Sequence, residues 1–421
     1  MALHVTAAPT EPDLLFLPWH VPLEEWPADT IVSLPRGISR HVVRFVRLHG
    51  LVYAVKELTT LTAEREYRLL QDLARRDVPC VEPVGVISGR EADDGSPIDS
   101  ALVTRHLKFS LPYRALFSST LRPNTASRLL DALTVLLVRL HLVGFAWGDC
   151  SLSNTLFRRD AGAFAAYLVD AETGDLHEQL SRGQREYDID LAATNVSGEL
   201  LDLQAGALLH ENVDPIATGQ DLRSRYDRLW SLLTEPVSIT DRERYRLDER
   251  IRLLNDLGFD VAELSIVREP AASTVTVTPK VVDAGHHARR LLRLTGLDVE
   301  ENQARRLLND LDAYRLAECL PEDDEEISAH RWVTEVFEPV VRAVPRHLRG
   351  KLEPAEVFHE VLEHRWFMSE QQRREVSTMT AALDYVDAVL THKPDEQAVL
   401  GTRLGTPSDD TTEIRIVMPP E

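Results

Sequence analysis

Three polar residues in one short stretch have the types and spacing for chemistry. Asp149 stands in W-G-D-C, Asn154 follows and leads into T-L-F, and Asp170 ends the run A-A-Y-L-V. Two short strands flanking a loop would bring a carboxylate, an amide and a second carboxylate to one mouth. That set suits phosphoryl transfer from a metal-bound nucleotide. One Asp orients or deprotonates an attacking hydroxyl, while the Asn oxygen and the other Asp hold metal ions. For D-x-x-x-x-N alone, the competing reading is a hairpin with polar residues at its turns.

The flanking segments read as elements that would position these groups. Before Asp149, S-R-L-L-D-A-L-T-V-L-L-V-R-L-H-L-V-G is apolar nearly all round, which predicts a buried helix closed by Gly144. His141 on it reads as a core or capping histidine. After Asp170, T-G-D-L-H-E-Q-L-S-R-G leads into a helix carrying Asp188 and Asp190. Cys150 reads as a small buried thiol.

Upstream, residues 1–28 read as a loose tail and an extension packed by Trp19 and Trp26. T-I-V-S-L, H-V-V-R-F-V-R-L and L-V-Y-A-V-K read as strands, followed by the helix T-A-E-R-E-Y-R-L-L-Q-D-L. Arg36, Arg40, Arg44, Arg47 and Lys56 fall in the strand stretch with no acid between them. They suit a positive cover over polyphosphate or the solvent side of a curved sheet. On the helix, Glu66 shares a face with Leu69, Leu70 and Leu73, whereas Glu64 shares one with Arg68 and Gln71. Next, V-E-P-V-G-V-I and I-D-S-A-L-V-T-R-H-L form a hairpin with an acidic tip.

The D-x-x-x-x-N stretch, the strand pair and the following Asp resemble the protein-kinase-like superfamily. The form W-G-D-C-S-L-S-N with D-A-E is closer to the small-molecule and lipopolysaccharide (Kdo) kinase branch than to protein kinases. The whole chain resembles a bacterial group that joins such a domain to a C-terminal domain of unknown function. Trp147 stands where the branch usually has His, and Ala171-Glu172 stands where kinases have Phe-Gly. The resemblance implies an α+β fold. A two-lobed kinase-like domain is expected over 28–205 (N-lobe 28–105, C-lobe 106–205), and a mainly helical domain over 206–392. Residues 1–27 and 393–421 are expected to be an extension and a tail.

The resemblance also implies ATP and Mg²⁺ as cofactors. Asp149 is then the catalytic base, and Asn154 and Asp170 are the metal ligands. Lys56, in the Y-A-V-K strand, meets the nucleotide phosphates, and an acid of the next helix pairs with it. The helix-face argument makes that acid Glu66. Gly37 stands in the phosphate-covering loop, and residues 104–109 form the hinge that an adenine ring meets. An Asp of the helix after Asp170, either Asp188 or Asp190, anchors the catalytic loop. No A-P-E element follows Asp170 and position 151 is Ser, so the acceptor is expected to be a small-molecule or glycoconjugate hydroxyl and not a protein. The alternative is a nucleotide-binding regulatory protein without turnover, acting on a protein partner through its helical domain.

The second half is expected to be helical, with one β-hairpin, E-L-S-I-V-R to T-V-T-V-T-P, and a helix from Ile239. Asp298 is expected to cap a helix with Glu301 in its first turn. His359 and His364 are five apart, which is wrong for a zinc helix. His286, His287, Arg289, Arg290 and Arg293 read as a basic helix balanced by acidic neighbours. With 421 residues, 43% hydrophobic, the chain is long enough for two cores. A net charge of -21 argues against a general nucleic-acid binder. No run is long enough to span a bilayer, and no signal-peptide pattern opens the chain. Cys80, Cys150 and Cys319 form no disulfide or zinc pattern, which fits a cytoplasmic location.

Overall fold

Alternating apolar residues in the first half give short antiparallel strands, and the strands form a sheet that carries Lys56. The computed structural model describes residues 3–7, 12–32, 41–117, 125–235, 237–240, 259–268, 274–317, 325–393 and 396. The first strands are His4–Ala7 (β1), Val43–Leu48 (β2) and Leu51–Leu58 (β3). Helix Thr60–Arg75 (α1) follows, opened by the Thr59 hydroxyl, which accepts from Thr62 N at 3.4 Å. Glu82–Ser88 (β4), the two-residue pair Arg90–Glu91 (β5) and Pro97–Ile98 (β6), and Ser100–Arg105 (β7) complete the lobe. The five-stranded sheet runs β1-β4-β7-β3-β2, antiparallel throughout.

One finding differs from the sequence reading here. His4–Ala7, read as tail, is an edge strand against β4. The chain after it lays Leu14, Trp19, Leu23 and Trp26 on the outer sheet face, in one core with Val46, Tyr53 and Val103. Buried Arg90 fixes this cover by donating to Trp19 O at 3.0 Å, Val21 O at 2.7 Å and Glu57 at 2.6 Å. Apolar surface on the sheet needed a cover, and tryptophan-rich chain supplies it. Of the T-I-V-S-L strand, Ile31 makes a single bridge to Val46.

The second lobe begins with Leu111–Pro112 (β8), Tyr113–Leu116 (α2) and the buried helix Thr125–Leu142 (α3). Gly144 closes α3 at φ 86°, and a Cβ there would lie 2.1 Å from His177 O, so only glycine fits. Phe145–Ala146 (β9) leads to the hairpin Thr155–Asp160 (β10) and Ala163–Leu168 (β11). Its two-residue turn has Ala161 at φ 50° and Gly162 at φ 82°, the positive pair that suits right-twisted strands. Asp175–Leu176 (β12) pairs with β9. Helix Arg182–Ala205 (α4) opens on a Ser181/Gln184 capping box, and Pro215–Thr234 (α5) on Asp214.

The remaining strands are Val237–Thr240 (β13), Phe259–Arg268 (β14) and Thr274–Ala284 (β15), and β14 with β15 is the expected hairpin. Ile239 and Thr240, expected to open a helix, lie in β13; the rest of that expected helix falls outside the described residues. Then come His286–Thr295 (α6), Glu301–Ala317 (α7), Glu325–Trp332 (α8), Glu338–Ala343 (α9), Pro354–Gln372 (α10) and Thr378–Ala388 (α11). Their core, with Trp332, Phe358 and Tyr385, is separate from that of the kinase-like lobes. Helix α5, expected in the second domain, packs Leu222, Tyr226 and Leu233 into the first core.

Two capping expectations changed partners. Asp298 does not cap α7. Its first amides, Asn302 N and Gln303 N, donate instead to the distant Asp160 at 3.2 and 2.8 Å. Glu301 turns back to α6 and accepts from His287 N at 2.8 Å and Ala288 N at 3.0 Å. The basic helix is balanced as expected, with His287 on Glu301 and Arg290 on Glu325.

Candidate active site

Lys56 stands on β3 and Glu66 on the inner face of α1. The Lys56 ammonium lies 3.1 Å from Glu66, 2.7 Å from Asp170 and 3.3 Å from Glu172. Glu66 is buried and accepts from Ala171 N at 3.3 Å with its other oxygen. Glu64 lies on the exposed face beside Arg68. Burial opposes the Lys56 charge, yet Glu66 and Asp170 outweigh it and raise the lysine's pKa. Burial and the Asp170 charge push Glu66 up to about 8, against the pull of Lys56. Burial also works against the Asp170 carboxylate, but Lys56 and the Glu172 amide hold it below its ordinary value.

The loop from Trp147 to Asn154 is anchored from beneath. Buried Asp188 accepts from Trp147 N at 2.8 Å, Gly148 N at 2.7 Å and His141 at 2.9 Å. His141 spans from Asp188 to the Tyr226 hydroxyl at 2.6 Å, so it is a core histidine. Asp190, one residue pair further along the helix, bonds Arg223 on the outside. The Trp147 ring nitrogen donates to Asp170 O at 2.7 Å. The indole therefore ties the loop to the Asp170 segment.

Within the loop, Asn154 Nδ2 donates to Asp149 O at 3.0 Å and to Asp149 Oδ2 at 3.3 Å, leaving the amide oxygen as an acceptor. Asn195 Nδ2 donates to Asp149 Oδ1 at 3.3 Å and to Cys150 O at 3.1 Å. Glu199 accepts from Leu152 N at 2.6 Å and Ser153 N at 3.1 Å. Cys150 is fully buried, and burial followed by its carboxylate neighbours pushes the thiol well up, so it is inert. Asp149, Asn154, Asp170, Asn195 and Glu199 line one cleft of about 450 Å³.

Asp149, Asn154, Asp170, Lys56 and Glu66 are thus brought together. Gly37 lies outside the described residues, as do Arg36 and Arg40. Arg44 is used within the lobe, on Glu24 O at 3.5 Å. In the hinge stretch, burial depresses the His106 imidazole to about 4, so it is neutral.

The sequence reading passed over His41, Asn195 and Glu199, and gave Glu172 no role in the site. Asn195 and Glu199 lie seven and eleven residues after Asp188, on one face of α4, and the helix-face argument that separated Glu66 from Glu64 would have found them. The Glu172 carboxylate bridges Lys56 and His41, the latter at 2.8 Å; nothing in the sequence places His41 there.

Carboxylate and amide oxygens are the hard donors that Mg²⁺ prefers, and Asp170 with Asn154 supplies them. Among the described residues, Glu66, Asp170 and Glu172 also hold ligand atoms within 4.8 Å of one another. Lys56 lies within 3.3 Å of all three, so their cation here is the ammonium. His359 and His364 make no zinc group: the first is buried and the second bonds Asp384 at 2.6 Å.

A sheet-rich lobe bearing a Lys–Glu pair, over a helical lobe bearing the Asp149–Asn154 loop, defines a kinase-like fold followed by a helical region. Residues 46–202 match the sequence model of the Lipopolysaccharide kinase (Kdo/WaaP) family, and residues 228–390 match that of a domain of unknown function, DUF4032. The resemblance drawn from the sequence is therefore borne out in both halves. Among solved structures, the chain is similar to WaaP in complex with acyl carrier protein, at 17% identity and a TM-score of 0.36, over 61% of this chain and 99% of that one. No curated protein matches. No helix among the described residues is long and apolar enough to cross a membrane.

Proposed function

We propose that the protein transfers the γ-phosphoryl group of ATP to a hydroxyl of a small-molecule or glycoconjugate acceptor. The observation that carries this is that Asp170, which holds Lys56 and its partner Glu66, lines one cleft with Asp149 and Asn154. Glu66 holds Lys56 toward the nucleotide phosphates. Asp170 and the Asn154 oxygen would hold Mg²⁺, which supplies charge neutralisation as the phosphoryl group moves. Asp149, steadied by Asn154 and Asn195, orients the acceptor hydroxyl and takes its proton at a carboxylate oxygen.

The acceptor side supports a polyhydroxylated substrate. Ser151, Ser153, Thr194, Asn195 and Asp202 line it with hydrogen-bonding groups. Only residues 171–181 separate Asp170 from α4, and β12 ties them to β9. That leaves little chain for a peptide platform. The family match at residues 46–202 makes a sugar of the lipopolysaccharide type the first acceptor class to try.

One observation favours a second reading, a nucleotide-binding regulator without turnover. The Glu172 carboxylate already sits on Lys56, where a phosphate would bind. The deciding experiment incubates the protein with labelled ATP and Mg²⁺ against sugar-containing metabolite extracts and against peptide libraries. Transfer to a sugar fraction, lost in Asp149→Ala, is expected. Transfer to peptides alone refutes the acceptor class; tight Mg-ATP binding with no transfer selects the regulatory reading.

A further inference from the structure

The residues proposed as metal ligands sit at the open end of one hairpin. Asn154 immediately precedes β10, Asp170 stands just past β11, and Val169 N donates to Asn154 O at 3.0 Å between them. The other end of the hairpin, about 20 Å away at the rise of an extended strand, is gripped by the helical region. Asp160, 3% exposed, accepts from Asn302 N, Asn302 Nδ2 and Gln303 N and so caps α7 across the interface. Ala161 N donates to Glu356 at 2.9 Å. Arg158 is held between Glu300, at 2.9 Å, and Glu353. Arg159 pairs with Glu396 at 2.6 Å. A hairpin tip that only turned the chain would need none of these. Both strands are engaged, since Tyr167 on β11 also bonds Glu300 at 2.7 Å.

We infer that the helical region acts on the cleft by fixing this hairpin. Arg158, Arg159 and Asp160 are positioning residues that set the spacing of Asn154 and Asp170 from the far end of the two strands. The inference rests on the proposed reading of those two as metal ligands. It assigns the C-terminal region a role in metal geometry, with no contact to the nucleotide. A paired, hydrogen-bonded hairpin transmits a tilt at its tip to its base, because its register admits no slip without turning side chains to the wrong face. Lys56 lies on β3, outside the hairpin, and meets the clamp only through its 2.7 Å contact with Asp170.

The test uses the full chain carrying Asp160→Asn, with Arg159→Met as a second variant should the first fail to fold. Amide hydrogen exchange is measured without ligand, and affinity is measured for Mg-ATP and for metal-free ATP. Exchange at Thr155 and Val169, the base of the hairpin, should rise about three- to tenfold. Mg-ATP affinity should fall by a similar factor, with metal-free ATP affinity falling by less than half as much. Faster exchange confined to the tip, or an equal fall in both affinities, overturns the inference. If the unaltered protein binds no nucleotide, the proposed function fails separately. Exchange at the hairpin base then decides the coupling: a rise upholds it, and no change refutes it.

Discussion

In the cleft, three carboxylates, Glu66, Asp170 and Glu172, close on the single ammonium of Lys56. At the hairpin tip, Glu300 and Glu353 share Arg158, Glu396 takes Arg159, and Asp160 is met by N–H donors of α7 instead of a cation. Both clusters hold more acid than base, and they resolve it differently. Asp170 and Glu172 keep about a quarter and a fifth of their side-chain surface, so a cation can arrive from solvent. The tip is dry. Its surplus is met by backbone amides; burial and Glu300 push Asp160 up to about 7, and burial raises Glu300, Glu353 and Glu396. An open acidic cluster suits a ligand, and a closed one of similar composition suits an interface.

The largest expected effect separates chemistry from binding within the cleft. Asp149→Ala should lower turnover by about 10²–10⁴ while Mg-ATP still raises the melting temperature. Asp170→Ala should abolish that stabilisation, which is about 2.7 kcal/mol at a nucleotide concentration of 100 Kd. Equal thermal shifts in Asp170→Ala and the unaltered protein would break the assignment.

Next comes a direct contrast of the two clusters. Arg158→Leu leaves Glu300 and Glu353 buried without their cation and should cost about 3–5 kcal/mol in denaturant unfolding. Lys56→Met leaves Glu66 buried, but its other partners Asp170 and Glu172 are partly open to water, so it should cost less. The reverse ranking would mean that the cleft, not the tip, is the dry cluster.

A smaller effect is pH-dependent. Asp160 titrates at about 7 when folded, against 3.8 for the free group, so the folded state holds its proton more tightly. That contribution is complete below the lower value and is lost as pH rises through the upper one, with a slope of at most about 1.4 kcal/mol per pH unit. The groups facing it are the Glu300 carboxylate and the amides of Asn302 and Gln303. Urea titrations from pH 4 to 8 should show this slope, flattened in Asp160→Asn. An identical slope in the variant would assign it to other carboxylates.

The smallest contrast lies on one helix. Glu66→Gln should weaken Mg-ATP binding about tenfold, or 1.4 kcal/mol. Glu64→Gln should stay within about 0.5 kcal/mol in binding and stability alike. Isothermal titration of both variants distinguishes them, and equal losses would contradict the helix-face assignment.

The chemical groups were legible because they are local. Asp149, Asn154 and Asp170 lie within one strand–loop–strand unit whose spacing is written in the chain. Glu66 could be separated from Glu64 because a helix repeats every 3.6 residues. The paired strands β14 and β15 and the buried α3 followed from periodicity in the same way. Asp188 and Asp190 could not be separated in advance, since the answer depended on which carboxylate met Trp147 N, Gly148 N and His141.

The sequence by itself brought out Asp149, Asn154 and Asp170 as one local unit and the inward helix face of Glu66. Tertiary structure alone decided how distant segments meet. His41 reaches Glu172 from another lobe, the N-terminal tryptophans cover a sheet face, α5 joins the first core, and Asp160 caps a helix far along the chain. The physical reason is range. Backbone periodicity fixes neighbours within a few turns, whereas a buried carboxylate can be satisfied by any amide that the packed chain brings to it.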